Sequence, residues 1–486
     1  MTRAYDAEVT LVLEGTYPYV AGGVSAWVHQ ILCAYPARKF ALLHIGPHAG
    51  AYGAPRYQPP ANVTVLTEAF CRGRDHGRRR RAARPVHTPA RRGPSRMLAA
   101  FRRLHVDDAV DDELIADLAS NDLSLPELLH GERTFEMLRR DLYERLCPDA
   151  PFVDFFWHFR AMHVPLLRLL AAPCPRAAVY HAVATGYAGL VGAVASFREQ
   201  RPLVVTEHGI YAHEREMELS RVGWFVDCAS LRRVWTHYFK MLSRIAYHRA
   251  ARLLTLSEVN RARQLADGAD PNKIEVVPNG VDPEVWRAEA RPVATTSRLR
   301  VGFIGRVVPI KDLVTLIRAI HQVRQRVPEI ELWIVGPDDE DRPYAQRCRA
   351  LVDMLGLGEH IRFLGPQRVA EVYPQLDVVV LTSLSEGQPL VVLEAHAAGL
   401  PVVATDVGAC RELIEGGSEA DRQLGASGIV TRVASPSETA AALVRLAAHP
   451  ELRLAMGKAG AARIAARYQL RQVVACYDSL YAEAVG

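Results

Sequence analysis

The sequence predicts an α/β protein made of two doubly wound, Rossmann-like domains, and three observations carry that prediction. Short apolar, β-branched runs alternate with helix-compatible stretches, the alternation lapses once near residue 290, and glycines fall where strands give way to helices. A chain of 486 residues, 49% of them hydrophobic, is long enough for two or three domains with sizeable cores.

In chain order, the first strand is expected over Val9 to Leu13, a continuous apolar run of the kind a buried parallel strand shows. A helix is expected from Val24 to Ala34, where apolar residues recur at helical spacing, and Gly22 and Gly23 open it. A helix start carries unpaired N–H groups and the positive end of the dipole, and glycine lets a guest approach the backbone, so a phosphate is the natural ligand; a plain βα turn is the simpler alternative. The strand-like runs FALLHIG, AAVYHAVAT, PLVVTEHG, RLLTLSE and IEVVPNG follow, completing a first domain over 1–290. After the polar stretch WRAEARPVATTSRLR a second series begins: RVGFIGRV, IELWIVGP, IRFLGP, LDVVVLTS, LPVVATDVG and GIVTRV. It marks a second domain over 298–468, and residues 469–486 read as a terminal helix returning to the first domain. Ligands of such sheets bind outside the carboxyl ends of the strands, so the cleft between the domains is the expected site.

Composition narrows the function classes. A formal charge of +5 is too mild for a dedicated nucleic-acid binder but suits acidic small molecules. Eight cysteines with no C-x-x-C spacing indicate neither a zinc site nor a disulfide framework, which fits a reducing, cytoplasmic setting. The stretch MTRAYDAEVTLVLEG shows no cationic segment followed by an apolar core and a small-residue cleavage site, and no window approaches the roughly 20 apolar residues of a membrane span, so a soluble, unsecreted chain is expected. One segment departs from the scheme: residues 72–103, within an insertion at about 71–105, hold twelve arginines and one acidic residue before the chain turns acidic in HVDDAVDDELIADL. It is expected to be a mobile, solvated insertion, the alternative being an electrostatic arm that meets an anionic membrane or a charged partner.

The second domain holds the more specific signals. GFIGRVVPIKDL places Arg306 and Lys311 just beyond a strand, where two cations can clamp a diphosphate and stabilise charge on a leaving phosphate. SEGQPLVVLEAHAAGLPVVATDVG holds Glu386 beside Gly387 on a loop, and Glu394 about two turns along the next helix. Two carboxylates in that arrangement can accept hydrogen bonds from hydroxyls at two points of an extended ligand. His208 follows a β-branched strand, and such a histidine is more often structural than catalytic. His158, His163, His181 and His213 match no common metal-ligand spacing, so no metal is expected.

Residues 301–415 resemble the nucleotide-sugar-binding domain of retaining family 4 glycosyltransferases, whose signature is two glutamates separated by seven residues, as in EGQPLVVLE. The resemblance extends over the whole chain. Through YVAGGVSAWVHQ, YHAVATGYAGLVGA, TEHGIYAHEREMEL, LLTLSE and VVPNGVD it is narrower, to the PelF family of cytosolic glycosyltransferases of Pel exopolysaccharide synthesis. It implies a GT-B fold, two Rossmann-like domains facing across a cleft, and transfer of a hexose from UDP-glucose to a growing exopolysaccharide or related acceptor with retention of configuration. Arg306 and Lys311 then bind the donor diphosphate. Glu386 faces the transferred sugar, the amides of Gln388, Pro389 and Leu390 as a loop face its phosphate, Glu394 holds the ribose, and His208 lines the sugar pocket. Gly22, Gly23 and the Val24 amide contact phosphate or sugar. The resemblance further implies no metal or other cofactor, inner-membrane synthesis proteins as partners, and a cytoplasmic chain open to recruitment at the inner membrane face, while the mild charge argues against a nucleic-acid partner. It gives the arginine-rich insertion no role. Two rival readings are a sugar-nucleotide epimerase of the same architecture and a silent nucleotide-sugar-binding subunit of a synthase complex.

Overall fold

The computed structural model describes residues 5–73, 95–220, 223, 228–286 and 299–485. The chain divides into two compact units, one of Met1–Thr255, Ala262–Glu275 and Asp478–Gly486, the other of Leu256–Arg261 and Val276–Tyr477.

In the first unit, seven strands lie in the order β3-β2-β1-β4-β5-β6-β7: β1 Ala7–Glu14, β2 Phe40–His48, β3 Val63–Arg72, β4 Ala177–Ala182, β5 Leu203–Glu207, β6 Arg252–Thr255 and β7 Ile274–Val276. β1 pairs in parallel with β2 and β4, Val9 lying opposite both Phe40 and Val179. Val9, Leu11, Val12 and Leu13 are buried, because a central parallel strand is covered on both faces and has no solvent side for polar residues. The sheet winds outward from β1 in both directions, so its order reverses between β1 and β4.

The second unit repeats the plan with six strands in the order β10-β9-β8-β11-β12-β13: β8 Arg300–Ile304, β9 Glu331–Val335, β10 Ile361–Gly365, β11 Val378–Leu381, β12 Val402–Thr405 and β13 Gly428–Thr431. Its reversal falls between β8 and β11. The changeover between units comes at Val276, ahead of the lapse in periodicity near residue 290. Residues 276–286 join the second unit through specific pairing, since the Asn279 N–H donates to Gln388 Oε1 at 2.5 Å and Val281 bridges to Gln469. Such pairing leaves no trace in hydrophobic period. The final helix, Leu470–Val485, is shared: from Asp478 onward it counts with the first unit, where the buried Tyr481 hydroxyl lies 2.6 Å from His181 Nδ1.

Part of the arginine-rich segment departs from the expected solvated insertion. Residues 74–94 lie outside the described residues, but Arg96–Val106 is a helix of the core and not a solvated insertion. Met97, Ala100, Phe101 and Leu104 repeat at helical spacing and are wholly buried. Ser95 caps the helix by accepting from the Leu98 N–H at 3.1 Å. Its arginines are met by carboxylates: Arg96 by Asp117 at 2.7 Å, Arg102 by Asp141 at 2.9 Å, and Arg103 by Asp107 and Asp111, both at 2.8 Å. The acidic run that follows in sequence therefore supplies the partners of Arg96 and Arg103.

Two buried polar contacts hold the units internally. Arg463, fully buried in the second unit, donates to Asp421 Oδ1 at 2.7 Å, to Ser427 Oγ at 2.9 Å and to the carbonyls of Leu413, Ile414, Asp421 and Gly425. In the first unit His181 bridges Tyr481 and Thr206 Oγ1, the latter at 2.8 Å, and burial drives its pKa down to about 3.

Replacing Arg463 by Met is expected to destabilise the second unit by about 3–5 kcal/mol, because Asp421 and several carbonyls lose their partner in the interior. Urea unfolding followed by a probe in each unit checks this; an unshifted second-unit transition refutes it. His181 is neutral when folded but titrates near 6.5 when unfolded. Its contribution is therefore complete above pH 6.5 and is lost as pH falls toward 3. A His181→Gln variant should show a shallower loss of stability than the parent when unfolding is measured between about pH 6 and pH 4.

Candidate functional site

In the second unit the residues singled out by sequence converge at the carboxyl ends of β8 and β11, where the strand order reverses. β8 ends at Ile304, and the loop after it carries Arg306 and Lys311. Asp312, at φ +44°, caps the Leu313–Val323 helix by accepting from the Thr315 N–H at 3.2 Å, which fixes the backbone beside Lys311. The loop after β11 is tied to it. Thr382 Oγ1 donates to the carbonyls of Lys311 and Asp312, each at 3.1 Å, and the Leu384 N–H donates to Ile310 O at 2.8 Å.

This lacing brings Lys311 and Glu386 together. Lys311 Nζ lies 2.5 Å from Glu386 Oε1, and Ser383 Oγ donates to the same oxygen at 2.6 Å. Both charged side chains are largely but not wholly covered, at 17% and 12% exposure, so the pair is held by geometry yet open to a ligand. Arg306 has a different partner. Its Nη1 forks to both oxygens of Glu340, at 2.6 and 2.7 Å. Each cation expected to bind diphosphate thus already holds a carboxylate.

Glu386 and Gly387 lie against a second loop with no room for a side chain. A Cβ at Gly408, which has φ +51°, would fall 2.1 Å from Glu386 O, and the Ala409 N–H donates to Gly387 O at 2.8 Å. The buried Gln388 side chain is a brace: Oε1 accepts from the Asn279 N–H, and Nε2 donates to Leu256 O at 3.1 Å. Pro389 precedes the helix Leu390–Ala397, whose first turn has no side-chain cap. Glu394 therefore lies about one turn into this helix and not two. Its Oε2 accepts from Tyr373 OH at 2.9 Å, and burial raises its pKa against the opposing pull of that hydrogen bond.

In the first unit, Gly22 is the N-cap and Gly23 the first residue of the Gly23–Ala34 helix, followed by Val24. No side chain caps this end, its first turn has no acid, and a Cβ at Gly22 would meet nothing within 4 Å. The same helix supplies the buried Trp27, whose ring stands edge-on to His208 at a centroid distance of 4.7 Å. Burial lowers the His208 pKa to about 3, and its Nε2 is buried without a hydrogen-bond partner. It is a neutral imidazole at physiological pH.

Sequence reasoning missed the carboxylate at the β1/β4 reversal. Glu14, the last residue of β1, accepts from the Ala188 N–H at 3.2 Å and from Tyr211 OH at 3.1 Å, and desolvation raises its pKa. Tyr211 reaches it by crossing Gly186, where a Cβ would sit 2.2 Å from the ring. The glutamate before Gly15 was a visible signal, but its partners lie 174 and 197 residues away. Glu340, Tyr373 and Ser383, the partners of Arg306, Glu394 and Glu386, carried no motif. Of the other histidines, His163 donates through Nδ1 to Phe159 O at 2.9 Å, and His158 Nδ1 accepts from Trp235 Nε1 at 3.1 Å. Among the described residues no three His, Cys, Asp or Glu side chains are grouped to hold a metal ion, and no helix is long and apolar enough to cross a membrane.

Comparison with known proteins agrees with this division. Residues 7–272 match the family described as "Domain of unknown function (DUF3492)", and residues 298–449 match "Glycosyl transferases group 1". Among curated relatives, the D-inositol 3-phosphate glycosyltransferase of Segniliparus rotundus is 33% identical over 203 residues, 40% of this chain and 43% of that protein. That of Corynebacterium jeikeium is 30% identical over 250 residues, 48% of this chain and 58% of that one. The matches thus span about half the length of these relatives. Among solved structures, Anabaena HepE in complex with UDP-glucose superposes with a TM-score of 0.61 at 17% identity, covering 98% of this chain and 99% of that one. Sucrose-phosphate synthase from Thermosynechococcus elongatus gives 0.60 at 17% identity, with 98% of each chain covered. At such identity these two structures establish the fold, two parallel-sheet Rossmann-like domains of GT-B type. By the match over more than half its length the chain belongs to the family described as "Domain of unknown function (DUF3492)", with a glycosyl transferases group 1 region following it.

Proposed function

We propose that the protein is a retaining glycosyltransferase that moves a hexose from a UDP-sugar, with UDP-glucose as donor, to a growing exopolysaccharide or related acceptor, in the manner of the PelF enzymes. The observation that carries this reading is the Lys311–Glu386 pair at the β8/β11 reversal, beside the uncapped start of the Leu390–Ala397 helix. A cation, a carboxylate and a helix start without a side-chain cap match a ligand that is anionic at one end and hydroxylated at the other.

In this scheme Lys311 and Arg306 take the diphosphate, giving up part of their contact with Glu386 and Glu340. Glu386 accepts from hydroxyls of the transferred sugar, and Glu394 from the ribose. Gly387, Gln388, Pro389 and Leu390 form the loop whose amides face phosphate, Pro389 contributing shape but no N–H. Gly22, Gly23 and the Val24 amide are assigned to phosphate or sugar, and neutral His208 to the sugar pocket. The anomeric carbon–oxygen bond to phosphate breaks, the acceptor oxygen attacks the same face, and the departing phosphate oxygen takes the acceptor proton. Positioning and stabilisation of the leaving diphosphate are the protein's contribution, and no metal enters the scheme. A cytoplasmic site of action and recruitment by inner-membrane exopolysaccharide synthesis proteins belong to the same proposal.

A panel of nucleotide sugars monitored for nucleoside diphosphate release tests the reaction, with UDP-glucose expected to give the greatest turnover; no turnover of any donor in the presence of oligosaccharide acceptors defeats it. Lys311→Ala should slow transfer by on the order of 10²-fold, because a charge-stabilising contact to the leaving group in a partly water-excluded site contributes roughly 3 kcal/mol. A folded variant with parental kcat contradicts the assignment. Glu394→Ala should chiefly raise KM, its contacts being equal in ground and transition states, whereas Glu386→Ala should lower kcat as well. Equal effects of the two on KM alone remove the distinction.

A further inference from the structure

We propose that the Ala229–Arg249 helix of the first unit bears a binding site for a phosphate-bearing ligand, separate from the residues assigned to the donor. Arg233, His237, Lys240 and Arg244 recur at intervals of four, three and four residues, so they share one face of the helix, and Arg232 and Thr236 border it. These side chains line a solvent-open depression of about 420 Å³. A recess of that size admits a phosphorylated small molecule or a single headgroup.

The charge around it is unbalanced. Two acids share the depression, Asp108 and Glu216. Asp108 is engaged on one side only: its Oδ1 lies 3.5 Å from Arg244 Nη1 and 3.9 Å from His237 Nδ1. Arg244 is fixed further by donating to Asp108 O at 2.8 Å and Asp267 O at 3.0 Å. Arg232 and Lys240 form no ion pair with any described residue. On the Arg96–Val106 helix of the same unit, by contrast, all three arginines have aspartate partners. Four permanent cations line a concavity that holds two carboxylates, with Asp149 acting on Arg233 from outside it, and they hold a positive potential that a compact anion relieves. Guanidinium groups offer paired donors that match phosphate oxygens, and Lys240 supplies a point charge beside them. The phosphate can belong to a free metabolite or to a lipid, and the chemistry of recognition is the same.

Calorimetric titration of the full chain with sn-glycerol 3-phosphate, in saturating UDP to occupy phosphate-binding groups of the second unit, tests the proposal. The parent should bind saturably. Arg232→Ala/Lys240→Ala should bind at least tenfold more weakly, while Arg232→Lys/Lys240→Arg stays within a few-fold. Circular dichroism and UDP affinity should not change in either variant, since neither residue packs in the core. A second arm uses vesicles of phosphatidylcholine with and without phosphatidic acid. Binding confined to phosphatidic acid vesicles and lost in the double alanine variant supports the site with a lipid as the source. Absence of binding in both arms, or equal binding by the parent and the double alanine variant, overturns the proposal.

Discussion

A parallel sheet delivers the carboxyl end of every strand, and the N-terminus of each helix that follows, to one edge. Where the strand order reverses, the loops on either side part and leave a crevice lined by helix amides. The arrangement of polar groups in both units follows from this constraint. At the β8/β11 reversal the crevice is bordered by Lys311, Glu386 and an uncapped helix start, while in the first unit the corresponding place between β1 and β4 is closed by the chain itself. There Glu14 accepts from the Ala188 N–H, so the helix after β4 receives a carboxylate from its own protein. The helix after β1, opened by Gly22 and Gly23, has no side-chain cap and no acid in its first turn.

The protein environment sets the protonation state of the groups along these edges. Desolvation raises Glu14, Glu207 and Glu394 and lowers His181 and His208, because each charged form gives up hydration on entering the protein. Hydrogen-bond donors oppose the upward shift where they are present. Glu207 collects four, from Thr185, the Tyr211 N–H, Tyr247 and Gln264, and serves as a buried post that joins β5 to the helices around it. Among the described residues His208 has no such partner on Nε2, and its ring stands edge-on to Trp27. Groups held this way arrive already oriented, which lowers the ordering entropy that ligand binding would otherwise carry.

Pairing of charges also explains why a basic segment can belong to the core. The Arg96–Val106 helix turns an apolar stripe inward, and each of its arginines reaches an aspartate, so the local charge is nearly neutral while the apolar face is buried. Compositional bias described the sum of charges but not their partners. The Ala229–Arg249 helix has the same mixture of aromatic, aliphatic and cationic residues with fewer facing acids, and its surface is correspondingly positive.

Hydrophobic period and the positions of glycine were enough to determine two doubly wound sheets, the helix start at Gly22 and Gly23, the loops bearing Arg306, Lys311 and Glu386, and the helix bearing Glu394, because strand and helix periods are local properties of the chain. The resemblance of EGQPLVVLE and its surroundings added the expected ligand class. Tertiary structure alone decided the partners. Glu340 for Arg306, Tyr373 for Glu394, the Gln388 brace to Asn279 and Leu256, and Glu14 at the end of β1 all join residues distant in sequence, where no period or spacing is preserved. It likewise decided that residues 276–286 fold with the second unit and that Arg96–Val106 is core. In both cases specific pairing, a backbone hydrogen bond to a side-chain amide or an arginine to an aspartate, outweighed what composition suggested, since such contacts depend on where the fold brings two groups together and not on what lies beside them in the chain.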